Sequence, residues 1–251
     1  MSTIHRRTAL RAALLCLAIP ATASPLDWIG GERIKGSRTL KKQTREPGHF
    51  TGLSLMLACP VELRLGASDS ITIEADDNIL PRIETVVEDG TLKIRPVKRA
   101  LVLQDASIRI VVQATRIERL HVGGSGSIDA QALHAPALQV DIGGSGSVKL
   151  LAVEAGTLAI AIGGSGDISA TGGNARKLSV SISGSGSAKL EQLKAIEASV
   201  NVAGSGQAVL NVRDALSVSI AGSGDVDYYG DPKVSRTVAG SGGVRRLGPG
   251  R

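Results

Sequence analysis

The chain has 251 residues, with 29 Lys and Arg against 23 Asp and Glu, a formal net charge of +6. The basic excess sits at the two ends: residues 49 to 244 hold 17 basic and 20 acidic side chains, a net of −3. That balance argues against a nucleic-acid-binding body, and one Trp, one Phe and two Tyr leave few rings on which bases could stack.

Residues 1 to 23 have the form of a secretory signal peptide. Arg6, Arg7 and Arg11 supply a basic start, residues 12 to 19 an apolar run, and Ala21-Thr22-Ala23 a small-x-small cleavage pattern before Ser24. The run is too short to cross a bilayer. Leu15 before Cys16 is too bulky for a lipid-attachment signal, and the Arg6-Arg7 pair fits a twin-arginine signal only in part. Export is therefore expected, to the periplasm, the outer membrane or the exterior of a bacterium, with no transmembrane segment once the signal is removed. Cys59 is then the only cysteine. It has no partner for an intramolecular disulfide, so core packing must hold the fold. Beside Pro60 in an apolar run, it reads as a small buried hydrophobe and not as a nucleophile.

Residues 24 to 48 are polar and basic, with Arg33, Lys35, Arg38, Lys41, Lys42 and Arg45, and read as an extended, poorly ordered lead-in. One β domain is expected over 49 to 251, with irregular coils from 49 to 120. There Leu53-Ser54-Leu55-Met56-Leu57, Val61-Glu62-Leu63-Arg64-Leu65, Ile71-Thr72-Ile73 and Ile108-Arg109-Ile110 alternate, the period of a strand with one buried face. Asp89-Gly90 marks a turn, and Pro60, Pro81 and Pro96 fall at strand ends. These coils should also cap the open end of the stack.

From 121 to 245 one motif recurs. Gly124-Ser125-Gly126, Gly144-Ser145-Gly146, Gly164-Ser165-Gly166, Gly184-Ser185-Gly186 and Gly204-Ser205-Gly206 follow at steps of 20, then Gly222-Ser223-Gly224 and Gly240-Ser241-Gly242 at steps of 18. Such a period marks a stacked repeat architecture. Before each corner lies an alternating strand: Val140-Asp141-Ile142, Ile160-Ala161-Ile162, Val180-Ser181-Ile182, Val200-Asn201-Val202 and Val218-Ser219-Ile220. After each comes a second apolar column of Ile128, Val148, Ile168, Ala188, Ala208, Val226 and Val244. One such unit cannot bury its own apolar face, but a pile of them can, with like residues about 4.8 Å apart. The glycines serve corners that need positive φ and have no room for side chains; the serines can bond to local backbone or to the next coil. About ten coils are expected, from roughly 200 residues at 20 each. Tyr228-Tyr229-Gly230-Asp231-Pro232 holds half of the aromatic residues and reads as a plug at the end of the column, or as a ligand contact in which the Tyr228 and Tyr229 rings stack on a sugar.

The Gly-Ser-Gly corners at this spacing, the Tyr229-Gly230-Asp231-Pro232-Lys233-Val234 ending and the region from 50 to 94 resemble the GIN domain, the DUF2807 family, an auto-transporter adhesin head domain. The likeness spans roughly residues 50 to 245 and implies a right-handed parallel β-helix on the bacterial cell envelope, with no catalytic residues. The many further alternating strands of a membrane-spanning barrel are not visible, so self-transport is not expected.

Site chemistry is sparse. His49, His121 and His134 stand at no metal-ligand spacing with each other or with Cys59. In Gly163-Gly164-Ser165-Gly166-Asp167 the Asp comes one position early for a glycine-rich calcium repeat. Ser125 lacks the second Gly of a nucleophile elbow, since Ser127 stands in its place. Left-handed acyltransferase helices need coils of 18, which only two of six intervals meet. The outward positions Ala159, Ala161, Ser179, Ser181, Ser199, Asn201, Ser217 and Ser219 make a smooth face without the acid-base groups of a polysaccharide hydrolase. The reading is an all-β right-handed solenoid without catalytic residues, metal or cofactor, a structural or adhesin-like envelope module docking a protein or glycan. The alternative is a polysaccharide-binding or polysaccharide-processing envelope protein.

Overall fold

The computed structural model describes residues 32–98 and 101–250, so the signal sequence read over 1 to 23 lies outside the described residues. Strand Ser127–Gly144 pairs in parallel with Ser147–Gly164 at a constant offset, Ile128 on Val148, Leu138 on Leu158, Val140 on Ile160. The next coils continue through Asp167–Ala170 and Gly173–Gly184, Ser187–Gly204 and Gln207–Gly222. Asp225–Tyr229, Lys233–Gly240 and Gly243–Gly248 complete the stack. Each apolar residue of the alternation thus sits on its counterpart one coil earlier. Leu120, Val140, Ile160, Val180, Val200 and Val218 form one column, buried throughout, and Ile128, Val148, Ile168, Ala188, Ala208 and Val226 another. Each Val, Leu or Ile so buried contributes about 2 kcal/mol relative to exposure.

The step from 20 to 18 residues is absorbed away from the Gly-Ser-Gly corner. Leu190 still faces Leu210, but Lys194 faces Asn211 and Glu197 faces Ala215. Two residues are therefore lost on the far side of the coil, and Gly204 remains on Gly222.

The solenoid has about 6 turns, fewer than the ten estimated by dividing the length by the period. The difference lies in residues 66–118, which do not wind. Gly52–Leu55 and Pro60–Leu65 form the first coil, under Arg119–Val122 and Ser127–Gly144. Between them the chain leaves the column and returns to its other side. There Thr91–Pro96 pairs with Gly52–Leu55 and Ile108–Ala114 with Pro60–Leu65. Antiparallel strands then close this end: Ser70–Asp76 on Ile108–Ala114, and Ile83–Glu88 on Thr91–Pro96. The irregular coils expected over 49 to 120 are thus one coil and a cap built out of sequence order.

The lead-in is also ordered where it is described. Leu40–Arg45 is antiparallel to Ser70–Asp76, and Glu32–Lys35 pairs in parallel with Leu101–Gln104. Leu40–Arg45 lacks an apolar face because it lies at an edge, almost wholly exposed, and is held by main-chain bonds. Arg45 ties it down: Nη1 donates to the Ile83 carbonyl (2.9 Å) and to Thr85 Oγ1 (3.0 Å).

Two polar clusters fasten the cap. Arg95 bridges Glu84 (2.6 Å) and Glu88 (3.0 Å), and Lys93 holds Glu88 at 2.6 Å. Asp69 accepts the Thr115 N–H at 2.6 Å and His49 Nδ1 at 2.7 Å. Burial pushes the Asp69 carboxyl up, but these two partners outweigh it and hold it below the ordinary carboxylate range. The Lys93 hydrogen bond, joined by the charge of Arg95, lowers Glu88 in the same way.

Both depressed carboxyls contribute stability that is complete above their unfolded pKa, about 4, and is lost as the pH falls through the folded values. Urea midpoints should therefore hold from pH 7 to 5 and decline below about pH 4, with Asp69→Asn flattening part of the decline. In the column, Leu158→Ala should cost about 3 kcal/mol by urea unfolding. Ser181→Ala, on the outer face of the same sheet, should stay within about 0.5 kcal/mol.

Candidate functional site

The corners are the most repeated local structure, and each residue in them has a separate task. The first glycine has positive φ at every copy, from 124° at Gly204 to 151° at Gly144, a region costly for residues with a Cβ. A Cβ on Gly164 would also lie 2.6 Å from the Gly144 carbonyl oxygen. The second glycine faces inward and is buried from Gly126 to Gly224; on Gly166 a Cβ would lie 2.5 Å from Ile142 Cγ2. Between them the serine bonds through its main chain. Ser145 N–H donates to the Gly124 carbonyl (3.0 Å), and Ser165, Ser185, Ser205, Ser223 and Ser241 repeat the bond at 2.9–3.0 Å. The serines are vertical neighbours, as the repeat requires. Their side chains make a row on the outside of the corner, all seven exposed.

The smooth face lies on the strand leading into this corner. Register places Ala159, Ser179, Ser199 and Ser217 in one row and Ala161, Ser181, Asn201 and Ser219 in the next. All but Ala159 are exposed. Toward the N-terminal end the rows continue into Gln139 and Asp141, where Gln139 Nε2 donates to Asp141 Oδ2 at 2.8 Å. Along one side runs a shallow groove of about 450 Å³, its rim formed by Thr157, Lys177, Glu197 and Lys233 opposite Ser179 and Ser199. This groove is a feature the sequence reading missed. Its bed includes Ala198 where neighbouring coils carry Leu158, Leu178 and Leu216, a one-residue dip in a repeated column that only the alignment of coils displays.

The two tyrosines do not form an open platform. Tyr228 stands on Leu210 in register and packs half-buried against the core. Tyr229 follows on Asn211, half-buried beside Gly248. Tyr228 fills the end of the column next to the aliphatic Leu210, and Tyr229 lies between Asn211 and Gly248. Cys59 is buried, and that burial pushes its thiol up to about 12, so no thiolate is available for chemistry at neutral pH. Among the described residues no three His, Cys, Asp or Glu are placed to hold a metal ion, and no helix is long and apolar enough to cross a membrane.

Residues 49–232 match the family described as "Putative auto-transporter adhesin, head GIN domain". The chain belongs to this family. No curated protein matches it. Among solved structures, a "putative adhesin" of Bacteroides fragilis superposes with a TM-score of 0.81 at 20% identity, over 85% of this chain and all of that one. A "putative lipid binding protein" of Parabacteroides distasonis gives a TM-score of 0.71 at 24% identity, over 86% of this chain and all of the other. A "putative adhesin" of Parabacteroides merdae gives 0.66 at 18% identity, over 86% of this chain and 99% of the other. At such identities the likeness is one of fold.

In this GIN domain the match ends at residue 232, just before the strand Lys233–Gly240, so the last coil falls outside it. The corner geometry sets a test with a built-in control. Gly164→Ala and Gly166→Ala should each destabilise the domain by about 2 kcal/mol through backbone strain and overpacking. Gly163, whose added Cβ would meet nothing nearer than 3.9 Å and whose counterparts are Ser183 and Ala203, should accept Ala within about 0.5 kcal/mol. Thermal melts of the three variants check the order.

Proposed function

We propose that this GIN domain is an exported, non-enzymatic module of the bacterial cell envelope, which docks a surface protein or glycan on its Ser/Ala face. The observation that carries the reading is that face: rows of small exposed side chains on a backbone locked residue by residue to the coils on either side. Docking onto Ala and Ser orders few rotamers, since side-chain ordering costs about 0 for Ala but up to about 2 kcal/mol for Lys or Arg. A flat, stiff surface of this kind presents main chain and hydroxyls at a regular spacing and is prepaid in conformational entropy. The adhesin descriptions of the family and of two structural neighbours support the same role. The signal-like residues 1–23 support export, and the mixed charge of the body speaks against nucleic acid.

The groove beside the face gives the polysaccharide reading its one specific support, as a binding site. Thr157, Ser179 and Ser199 supply hydroxyls there, and Lys177 and Glu197 supply charge.

Purified mature chain should bind intact bacterial cells or a glycan array. Ser181→Lys with Ser219→Lys should cut that binding at least tenfold, by roughly 1.4 kcal/mol or more, while the melting curve is unchanged. Tyr229→Ala should bind as the parent does. Equal binding by the double-lysine variant would reject the face, and an uncleaved, cytoplasmic product on cell fractionation would reject export.

A further inference from the structure

The two ends of the column are built differently. The first coil is covered by Thr91–Pro96 and Ile108–Ala114, with antiparallel strands beyond them. At the other end, among the described residues, Lys233–Gly240 pairs only with Gln207–Gly222, and Gly243–Gly248 only with Asp225–Tyr229. One side of the last coil therefore carries main-chain N–H and C=O groups with no strand partner among the described residues. Every residue of Lys233–Gly240 is exposed. Its register nevertheless continues the buried columns: Val234 follows Leu216, Arg236 follows Val218 and Val238 follows Ile220. Val234 and Val238 are 39% and 40% exposed, whereas Leu216 and Ile220 are 1% exposed.

From this geometry we infer that Lys233–Gly240 is an acceptor edge for an extended, acidic segment of a partner protein, which adds as one further strand. An unpaired edge is a ready template for such addition. This one has no proline within it to stop pairing. Charge selects the occupant. Arg245 is held by Asp227 at 2.9 Å, and Arg246 donates to the Gly230 carbonyl at 2.7 Å. Lys233 and Arg236, by contrast, have no carboxylate partner among the described residues. Residues 231 to 250 contain four basic side chains and one acidic one.

Arg236 decides the pattern. It stands in a core column between Val234 and Val238, so a purely apolar strand laid over it would bury an unpaired guanidinium, which is strongly unfavourable. A strand with an acidic residue there, flanked two positions away on each side by β-branched residues, meets both needs. A second copy of this chain meets these needs less well. A two-fold contact gathers Lys233 and Arg236 of both copies at one seam, and head-to-tail stacking brings them to the Ile83–Glu88 strand, whose Glu84 and Glu88 are already held by Arg95 and Lys93.

The test uses the mature chain and two labelled heptapeptides, Thr-Val-Ser-Glu-Ser-Val-Thr and the same sequence with Lys for Glu. Fluorescence anisotropy should show the Glu peptide binding the parent roughly tenfold more tightly than the Lys peptide at low salt, with the gap closing as salt screens it. Arg236→Glu should reverse the preference, and Lys233→Glu, which leaves the core column untouched, should narrow it. Light scattering should show the parent to be a monomer. Failure of the Glu peptide to bind, equal binding of the two peptides to the parent, or a parent dimer abolished by Val238→Lys would each overturn the assignment. None of these readouts depends on what the Ser/Ala face binds.

Discussion

The hydrogen bond from each corner serine N–H, from Ser145 onward, to the glycine carbonyl one coil earlier sets the terms for everything else. It can form only if the chain turns at the same point in every coil and the corners stack at strand spacing. That proximity leaves no volume for a Cβ on Gly164 or Gly166. The corner therefore acts as a register pin. Given the pin, the alternation on either side is compelled to place valine on isoleucine and serine on serine, because a slip of one residue would turn every apolar side chain outward. Even the shortening to 18 residues respects it, since it is taken up between Leu190 and Glu197 while Gly204 stays on Gly222.

A column held this way has strong sides and two vulnerable ends. At the N-terminal end the chain uses residues 66–118 to pair with its own first coil from the other side, and closes the result with antiparallel strands and the Glu84, Glu88, Lys93 and Arg95 cluster. The C-terminal end has the tyrosine plug and an arginine in a core column, but no covering strand among the described residues. An inward-pointing charge is a known way to keep an edge from pairing with its own kind, and Arg236 occupies that position.

The same stiffness connects shape to role. Among the described residues no three His, Cys, Asp or Glu are placed to hold a metal ion, and the one described thiol is buried. What the domain does present is long, flat and repeated. Binding on such a surface draws on many weak, equally spaced contacts and on a backbone that loses little freedom when a partner arrives. The proposed docking rows of Ser and Ala lie on the side of the column, and the proposed acceptor edge Lys233–Gly240 lies at its end.

What could be read from the sequence alone is what the repeat encodes locally. The inward columns, the corner glycines and the small outward residues of the strands follow from residues that recur at a fixed interval; the family follows from that interval together with the 229–234 ending and the region from 50 to 94, and the hydrophobic character of Cys59 from its apolar run beside Pro60. In a parallel coil the sequence interval and the spatial step are the same quantity. The cap and the lead-in escaped that logic. Nothing periodic records that Thr91–Pro96 lies against Gly52–Leu55, because that pairing depends on a loop returning to an earlier strand. Leu40–Arg45 could pass for a solvated tail because an edge strand is held by its main chain and needs no apolar face. The position of Tyr228 inside the column and of Arg236 at its end, like the groove over Ala198, depended on which coil lay next to which. Spacing along the chain determined the coil; contacts between segments far apart in sequence determined where the coil begins, how it is closed and which of its surfaces remain open.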